Sequence, residues 1–202
     1  MKGTEWIFAA AILICLASTT KAQDERCFNK GTSAINLGVG IGSRINYVYG
    51  TGNGITPIYN MSYEYGVAKA GPGVIGIGIS ASSIIDSYTS SLYFTNYTVK
   101  TTEAYSVLGL RAAYHPDFCN GKKYDVYGAI QLNIYCAGST QTSDDPKIQN
   151  SRSFNVTQIL PSLLIGARYY FVPNFGVYGE FGYDFAILKA GVSFKFGGNK
   201  KD

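Results

Sequence analysis

The sequence predicts an all-β protein, namely an eight-stranded antiparallel transmembrane up-and-down β-barrel. First, only 15% of the 202 residues are charged, against about 25% in an ordinary soluble domain, while 24 Gly, 17 Tyr and 11 Phe favour strands and turns. Second, apolar and polar residues alternate with a period of two through eight segments. Third, the connectors alternate between short and long, as in barrels that cross an outer membrane.

The N-terminal segment has the pattern of a cleaved signal peptide. Lys2 precedes an apolar run from Trp6 to Ala17, and small residues follow it. The run is shorter than the ~20 residues that a membrane-spanning helix needs. The sequence therefore predicts a signal peptide over residues 1–22, one barrel domain over residues 23–202, and export to the outer membrane of a Gram-negative bacterium.

The first four predicted strands each carry apolar residues on one face only. In the first strand Leu37, Val39 and Ile41 alternate with glycines, and in the third Ile75 and Ile77 do the same. Successive side chains of a strand point to opposite faces, so each segment has one apolar and one small or polar face. These strands are predicted over residues 34–49, 57–68, 73–82 and 102–115.

The last four predicted strands repeat the pattern. Ile130, Leu132 and Ile134 alternate with Gln131 and Asn133, for example. The predicted strands cover residues 123–136, 155–171, 175–184 and 187–196. An even number of strands allows the sheet to close with every neighbouring pair antiparallel.

The connectors predict which end of the barrel faces out. Short turns are expected on the periplasmic side and longer loops outside. The predicted periplasmic turns are residues 70–72, 116–122 and 172–174. The predicted outer connections are residues 50–56, 82–101, 137–154 and a tight last turn at 184–187.

The polar face decides between a membrane barrel and a soluble lipocalin-like barrel or β-sandwich. A water-facing set should be rich in Lys and Glu. Here the set is mostly Gly, Ser, Asn, Gln and Tyr with one or two ions per strand, which favours a narrow lumen. Aromatic residues on the apolar face near strand ends indicate an interfacial girdle; they are Tyr47, Tyr49, Tyr59, Tyr114, Tyr124, Tyr169, Phe171 and Phe196.

The C-terminal third resembles a known family. Between Leu160 and Phe196 the segments GARYYF, VYGEFGYDF and GVSFKF are similar to the last three strands of the small outer-membrane β-barrels common in Bacteroidetes, akin to OmpA- and OmpX-type barrels. The resemblance implies a monomer in contact with outer-membrane lipid and lipopolysaccharide, inserted by the barrel assembly machinery. It implies little about activity.

The ionisable residues of the polar faces predict a structural ion-pair cluster in the lumen. Eight strands leave an interior just wide enough for side chains, so unpaired charges there would be costly. Antiparallel pairing about residues 172–175 places Arg168 almost opposite Glu180, with Lys189 near them. The predicted cluster is Arg44, Glu64, Glu103, Arg111, Asp125, Arg168, Glu180 and Lys189, with Lys195 on the same face.

Three cysteines follow the predicted signal peptide. Cys27 precedes the first strand and Cys119 lies in the second periplasmic turn, so both belong on the oxidising side. A disulfide between Cys27 and Cys119 is the hypothesis, although the N-terminus could also reach elsewhere. Cys136 has the phase of the lipid face and is expected to be a buried thiol.

The residue inventory argues against an enzyme. His115 is the only histidine and has no Ser and acid partners at a plausible spacing for a triad. A single histidine makes no metal site, and no cofactor motif is present. The net charge of +4 includes no basic run, which excludes a nucleic-acid partner. The sequence therefore predicts no catalytic residues, no metal and no cofactor.

The outer loops are the remaining candidates for function. The connection 82–101 carries Tyr88, Tyr93, Phe94 and Tyr97, and exposed aromatics often mark a contact surface for an extracellular partner. A structural or surface-interaction role is therefore expected. Three alternatives stay open: an OmpW-like transporter of small apolar solutes, an accessory barrel of a secretion system, and a lipid-modifying enzyme.

Overall fold

The computed structural model describes residues 26–43, 57–91, 98–143 and 151–197, which form one closed antiparallel barrel. Each strand pairs with the next, and the first pairs with the last, so that Thr32 lies opposite Gly197. Closure satisfies the backbone of both end strands. The strands are β1 (Thr32–Ser43), β2 (Ile58–Lys69), β3 (Gly73–Ser91), β4 (Thr98–Pro116), β5 (Tyr124–Ser143), β6 (Ser151–Val172), β7 (Phe175–Tyr183) and β8 (Ala186–Gly197).

The apolar faces of the strands point outward and the polar faces point inward. Leu110 and Leu163 are 67% and 63% exposed on the outer surface, whereas Arg168 and Lys189 are each 1% exposed inside. A barrel in water would bury the leucines instead, because apolar side chains are driven out of water. The outer belt is therefore that of a transmembrane barrel, and the predicted fold class is confirmed.

Aromatic residues stand on the outer face near the strand ends, as predicted. Tyr47 and Tyr49 lie outside the described residues. The other members of the predicted girdle are all exposed: Tyr59, Tyr114, Tyr124, Tyr169, Phe171 and Phe196.

One end of the barrel, called here the turn end, carries the short connections. Gly71 has a φ of 56° between β2 and β3, a conformation that costs glycine little. Asp117–Cys119 forms a single 3-10 turn between β4 and β5, and two residues join β6 to β7. Within the part of the chain that is described, no helix is long and apolar enough to cross a membrane.

The opposite end, called the loop end, is strongly asymmetric. The strands β3 to β6 are 19 to 22 residues long, whereas β1, β2, β7 and β8 have 9 to 12 residues. The long strands extend beyond the short ones as a four-stranded sheet. This projecting sheet consists of residues 84–91 of β3, 98–106 of β4, 136–143 of β5 and 151–160 of β6.

The projecting sheet replaces most of the two long loops that the sequence predicted at 82–101 and 137–154. Hydroxyl side chains link its strands: Ser83 Oγ lies 3.1 Å from Ser106 Oγ, and Ser87 Oγ lies 3.0 Å from Thr102 Oγ1. Such cross-strand pairs stabilise a sheet. The Ser and Thr side chains of these segments are compatible with a solvated sheet.

The outward side chains change character where the projecting sheet begins. Along β4 the outward residues pass from Leu110 and Leu108 to Ser106, and Thr102 follows on the same face. On β5 they pass from Ile134 to cysteine, glycine and threonine. Because lipid chains favour apolar side chains and headgroups favour polar ones, this change marks the edge of the hydrophobic belt.

The belt and the projecting sheet should respond differently to one added charge. Replacing Leu110 with Arg should destabilise the barrel in lipid by about 2–4 kcal/mol, the cost of Arg at the bilayer midplane. Thr140→Arg, on the outward face of the projecting sheet, should leave the free energy of unfolding unchanged. Urea titrations in phospholipid vesicles, followed by the mobility shift of unboiled samples in SDS gels, measure both. Equal costs for the two variants would contradict the assigned belt.

Candidate functional site

A network of charged side chains fills the middle of the lumen. Glu64 on β2 accepts two guanidinium contacts at its Oε2: Arg111 Nε at 3.2 Å and Arg168 Nη2 at 3.0 Å. Arg168 Nη1 also lies 3.0 Å from Asp125 Oδ2. All four side chains are almost completely buried. Side chains from β2, β4, β5 and β6 thus meet at one height in the lumen, because each belongs to a strand position whose side chain points inward.

His115 joins two carboxylates of this network. Its Nδ1 lies 2.8 Å from Asp125 Oδ1, and its Nε2 contacts Glu64 Oε1. An imidazolium can donate to both oxygens at once, whereas a neutral ring can donate to only one. With that ring charged, the network balances four cationic groups against four carboxylates: Arg111, His115, Arg168 and Lys189 against Glu64, Asp125, Glu180 and Asp184.

The second half of the network is built around Glu180. Arg111 Nη2 lies 2.7 Å from Glu180 Oε1, and the Tyr127 hydroxyl donates to the same oxygen at 2.8 Å. Lys189 Nζ lies 3.3 Å from Glu180 Oε2 and also contacts Asp184. Each buried charge therefore has a counter-charge and further hydrogen bonds, which is the condition under which buried ion pairs are tolerated.

Inward-facing glycines make room for these large side chains. A Cβ added at Gly76 would lie 2.5 Å from Glu64 Oε1, and one added at Gly166 would collide with the Tyr127 ring. That ring in turn lies under the Arg168 guanidinium, 4.3 Å from its centre. The glycines of the polar faces are thus counterparts of the network rather than a sign of weak strands.

The N-terminal segment closes the turn end of the lumen. The Phe28 ring stacks on His115 with centroids 3.9 Å apart. Asn120 Nδ2 donates to Phe28 O, and Phe28 N donates to Asn120 Oδ1 at 3.2 Å. Arg26 Nη1 lies 2.5 Å from Asp117 Oδ1. Backbone, ring and ion-pair contacts therefore hold this segment below the network.

An apolar cluster closes the lumen towards the loop end. Phe185, from the turn between β7 and β8, is fully buried inside the barrel and meets Tyr135 edge-on, with ring centroids 6.0 Å apart. The cluster fills the level above the ionic network with packed side chains. Its members are Ile58, Ile84, Val107, Tyr135, Phe185 and Ala186, with Tyr105 and Leu160 packed against them.

This arrangement pairs the ionisable side chains of the described lumen with one another. The carboxylates, guanidinium groups and the imidazole contact one another and lie between two plugs of side chains. Among the described residues there is no group of three His, Cys, Asp or Glu side chains with the geometry of a metal site. The chemistry that the lumen supports is charge pairing.

Most of the predicted lumenal residues lie where the sequence placed them. Arg44 lies outside the described residues. Glu103 lies on β4 in the projecting sheet, opposite Asp86 of β3 and eight residues from Arg111 along the strand, so it belongs to a different level. Lys195 is half-buried at the turn end, with Nζ 4.8 Å from the centre of the Tyr170 ring. Glu64, Arg111, Asp125, Arg168, Glu180 and Lys189 form the network.

The expected placement of Arg168 almost opposite Glu180 differs from the observed register by two residues. A bulge at Phe171 shifts the pairing of β6 with β7, so Arg168 lies opposite Tyr178 and Glu180 lies opposite Gly166. Arg168 reaches across the lumen instead, and Arg111 takes its expected place beside Glu180.

Two members of the network were missed by sequence reasoning. His115 was judged to lack acidic partners, yet Glu64 and Asp125 flank it. Asp184 was assigned to an outer turn, but it is buried and accepts hydrogen bonds from Asn133 and Ser162 at 2.7 and 2.9 Å. The inward phase of His115 was a signal that could have found it. For Asp184 no sequence signal showed that the short β7–β8 hairpin ends inside the barrel.

The predicted disulfide between Cys27 and Cys119 is not formed in the structure, where both side chains are buried thiols. Cys27 Sγ faces two oxygens instead, the Tyr124 carbonyl at 3.1 Å and Asn120 Oδ1 at 3.6 Å. The hydrogen-bonded N-terminal segment, rather than a covalent bond, closes the turn end. Cys136 is half-buried at the bulge between β5 and β6.

Of the predicted contact aromatics, Tyr88 lies on β3 in the projecting sheet. Tyr93, Phe94 and Tyr97 lie outside the described residues.

The fold and the outer belt define a small eight-stranded barrel of the kind that crosses an outer membrane. No protein-family model matches the chain, and no curated protein matches it in sequence. Among solved structures it is similar to Ail, the attachment invasion locus protein of Yersinia pestis, solved with the heparin analogue sucrose octasulfate. The TM-score is 0.50 at 13% identity, over 83% of this chain and 99% of that one.

A second solved structure, the N-terminal β-barrel domain of Pseudomonas aeruginosa OprF, matches with a TM-score of 0.40 at 16% identity, over 83% of this chain and 98% of that one. At these identities the comparisons concern the fold alone, which in Ail is the same type of closed barrel.

The ionic network should be essential for stability. Replacing Lys189 with Met removes the cation between Glu180 and Asp184 and should cost about 3–5 kcal/mol, because buried carboxylates lose their partner. Lys195→Met on the same strand loses only a half-buried contact over Tyr170 and should cost about 0.5–1 kcal/mol. Urea unfolding in phospholipid vesicles measures both. Similar losses of unfolding free energy in the two variants would contradict the buried ion pairs of Lys189 with Glu180 and Asp184.

The closed turn end should protect Cys27. Burial raises the pKa of the Cys27 thiol to about 12, so the unreactive thiol form persists at neutral pH. Maleimide at pH 7.5 should therefore leave Cys27 unlabelled in the folded barrel and label it in urea. In a variant with serine at positions 27, 119 and 136, Lys30→Cys supplies an exposed thiol of the same segment and should react at once. Rapid labelling of folded Cys27 would contradict the closed turn end.

Proposed function

We propose that this protein is a closed, non-catalytic outer-membrane barrel whose function is to hold the projecting sheet above the membrane as an interaction surface. The observation that carries the proposal is the combination of a lumen filled along its length with a sheet that continues beyond the hydrophobic belt on one side only. The turn end then faces the periplasm and the loop end faces the exterior.

The filled lumen argues against transport. A transporter of small apolar solutes would need an apolar upper lumen, and this barrel has one, but its side chains are packed on one another. Ile58, Phe185 and Ala186 have no exposed surface. Below them lie the ionic network and Phe28. A solute would have to displace all three layers, which would expose unpaired buried charges.

At β6 the projecting sheet is exposed on both faces. On β6, Ser153 and Asn155 have the inward phase and Arg152 and Phe154 the outward phase, yet all four are exposed. A sheet covered by its own barrel would bury one face. Backbone order and two exposed faces favour recognition of a macromolecule over recognition of a small solute in a cavity.

The same geometry supports a proposal for the lipid and the proteins that the barrel contacts. The apolar belt supports contact with outer-membrane lipid, and outward lipopolysaccharide would surround the base of the projecting sheet. Insertion would require the signal peptide at residues 1–22 and the barrel assembly machinery. The closed sheet supports a monomer as the inserted unit. Ail, which has a similar fold, is by name an attachment and invasion protein, so a surface-interaction role has a precedent on this fold.

The proposal is tested in intact cells. In a variant with serine at positions 27, 119 and 136, Thr140→Cys on the projecting sheet should react with a membrane-impermeant maleimide. The matched variant Ile130→Cys, which is 61% exposed but lies in the lipid belt, should not react. The purified protein should also give no channel current in planar bilayers. Labelling of neither position in cells, or steady channel openings, would refute the proposed function.

A further inference from the structure

One charge pair of the ionic network joins a primary amine to a carboxylate. Lys189 Nζ contacts Asp184 Oδ2, and both side chains are almost completely buried. The other cationic groups of the network are the guanidinium groups of Arg111 and Arg168 and the imidazole of His115. A guanidinium stays protonated in proteins, whereas an amine that loses a proton becomes a nucleophile. The Lys189 pair therefore has the chemical groups from which an amide can form.

The β7–β8 hairpin holds these two groups together. Asp184 lies in its turn, and Lys189 lies on β8 directly opposite Glu180 of β7. The turn points inward, so that Asp184 and Lys189 meet inside the barrel. Reacting groups that a rigid scaffold holds in contact behave as though their concentration were about 10⁵–10⁸ M. The backbone thus supplies the proximity that a condensation requires.

Glu180 is placed to carry protons for this pair. Its Oε1 is held by Arg111 Nη2 at 2.7 Å and by the Tyr127 hydroxyl at 2.8 Å. Its Oε2 lies 3.3 Å from Lys189 Nζ. A carboxylate at this distance can take a proton from an amine and return it to a leaving group. One oxygen of Glu180 is thus fixed by donors while the other faces the amine.

The two oxygens of Asp184 have different surroundings. Oδ1 accepts hydrogen bonds from Asn133 Nδ2 at 2.7 Å and from Ser162 Oγ at 2.9 Å. Oδ2 faces Lys189 and accepts a hydrogen bond from Gln131 Nε2 at 3.1 Å. Two donors on Oδ1 stabilise the negative charge that develops there when an amine adds to the carboxyl carbon. Oδ2 is then the oxygen that leaves.

The dry surroundings of the hairpin favour a neutral product. Phe185 and Ala186 have no exposed surface and belong to the apolar cluster above the network. Burial penalises both charges of an ion pair, whereas an amide carries none. Loss of one cation and one anion also leaves the remaining charges balanced, with Arg111, His115 and Arg168 against Glu64, Asp125 and Glu180.

We propose that Lys189 and Asp184 condense to an intramolecular amide, with Glu180 as the proton carrier. Lys189 passes one proton to Asp184 Oδ2, and the neutral Nζ then adds to Cγ. As the N–C bond forms, Glu180 takes a second proton from Nζ. Glu180 returns this proton to Oδ2, the Cγ–Oδ2 bond breaks and one water leaves. An ammonium and a carboxylate thus become an amide and water, and Glu180 ends as the carboxylate that it was.

The amide would fix the inward turn covalently. It closes a ring through residues 184–189, which include Phe185 of the apolar cluster. The inference goes beyond the proposed function and does not depend on it. Surface labelling and conductance test the proposed function, whereas the covalent mass of the chain tests the amide, so that either can fail alone.

The test is peptide mapping of the full barrel purified from outer membranes. Trypsin cleaves after lysine and arginine but not after a lysine whose amine is acylated. An unmodified chain gives the peptides 169–189 and 190–195. The condensed chain should instead give one peptide, 169–195, whose mass is lower by one water. Lys195 contacts the Tyr170 ring and serves as the internal control, because it should be cleaved in both cases.

Folding should be required for the reaction. Chains collected in urea as inclusion bodies should have the full mass and should be cleaved after Lys189. The same chains refolded into detergent micelles should lose one water as the mobility shift of the folded barrel appears. Loss of water that is complete in urea would identify a chemical dehydration unrelated to the fold and would overturn the inference.

Matched variants assign the two ends of the bond. Lys189→Arg keeps a cation between Glu180 and Asp184 but has no amine, so it should keep the full mass. Lys195→Arg, the same change on the same strand, should still lose one water. Glu180→Gln removes the proton carrier and should lower the rate of condensation at least about tenfold. The mobility shift of unboiled samples checks that each variant folds.

Two further results would overturn the inference. Complete cleavage after Lys189 in the folded wild-type barrel, at full mass, would show that the pair remains ionic. Loss of water that persists in Asp184→Ala would place the bond on another carboxylate, and fragment spectra of peptide 169–195 would identify which one. The wild-type map decides the first point without any variant.

Discussion

The structure depends on one constraint: eight strands enclose an interior with room for side chains only, and here those side chains are charged. Charges buried away from water must be paired, because burying an unpaired charge costs more free energy than any single contact contributes. The network achieves this by drawing its members from six strands and the β7–β8 turn, so that Glu64 and Glu180 each contact two cationic groups or more. The glycines opposite them, such as Gly76, are required by the size of these groups.

The same network determines what the barrel can do. Because every charge in it contacts another, the network fills this level of the lumen with paired side chains. Phe28 on the turn side and the Phe185 cluster on the loop side add apolar layers above and below.

The unequal strand lengths determine the end of the barrel at which the sheet projects. Among the described residues, four adjacent strands continue past the belt and the other four end near it, so the sheet that emerges has two edges without a described partner strand. The two edges differ in chemistry. At β3 the Asp86 carboxylate occupies a main-chain donor, whereas at β6 the residues that face outward are apolar and exposed.

The sequence by itself determined the barrel. Alternation with a period of two is a local property, so the number of strands, their outward apolar faces and the inward phase of residues such as Arg111 and Glu180 could be read without knowing any partner. The short turns were also readable, because glycine and proline act within a few residues. These local rules placed six of the eight predicted lumenal charges in the network.

Tertiary structure alone decided which charges meet. Arg168 contacts Glu64 rather than Glu180, partly because a one-residue bulge changes the register of β6 with β7. The contact also crosses the lumen, and the distance between two residues along the sequence does not predict which side chains meet there. The inward turn that buries Asp184, the stacking of Phe28 on His115 and the unbridged Cys27 have the same origin. The long strands past the belt were missed for a related reason: Ser and Thr form a loop or a solvated strand according to whether a neighbouring strand is there to pair with them.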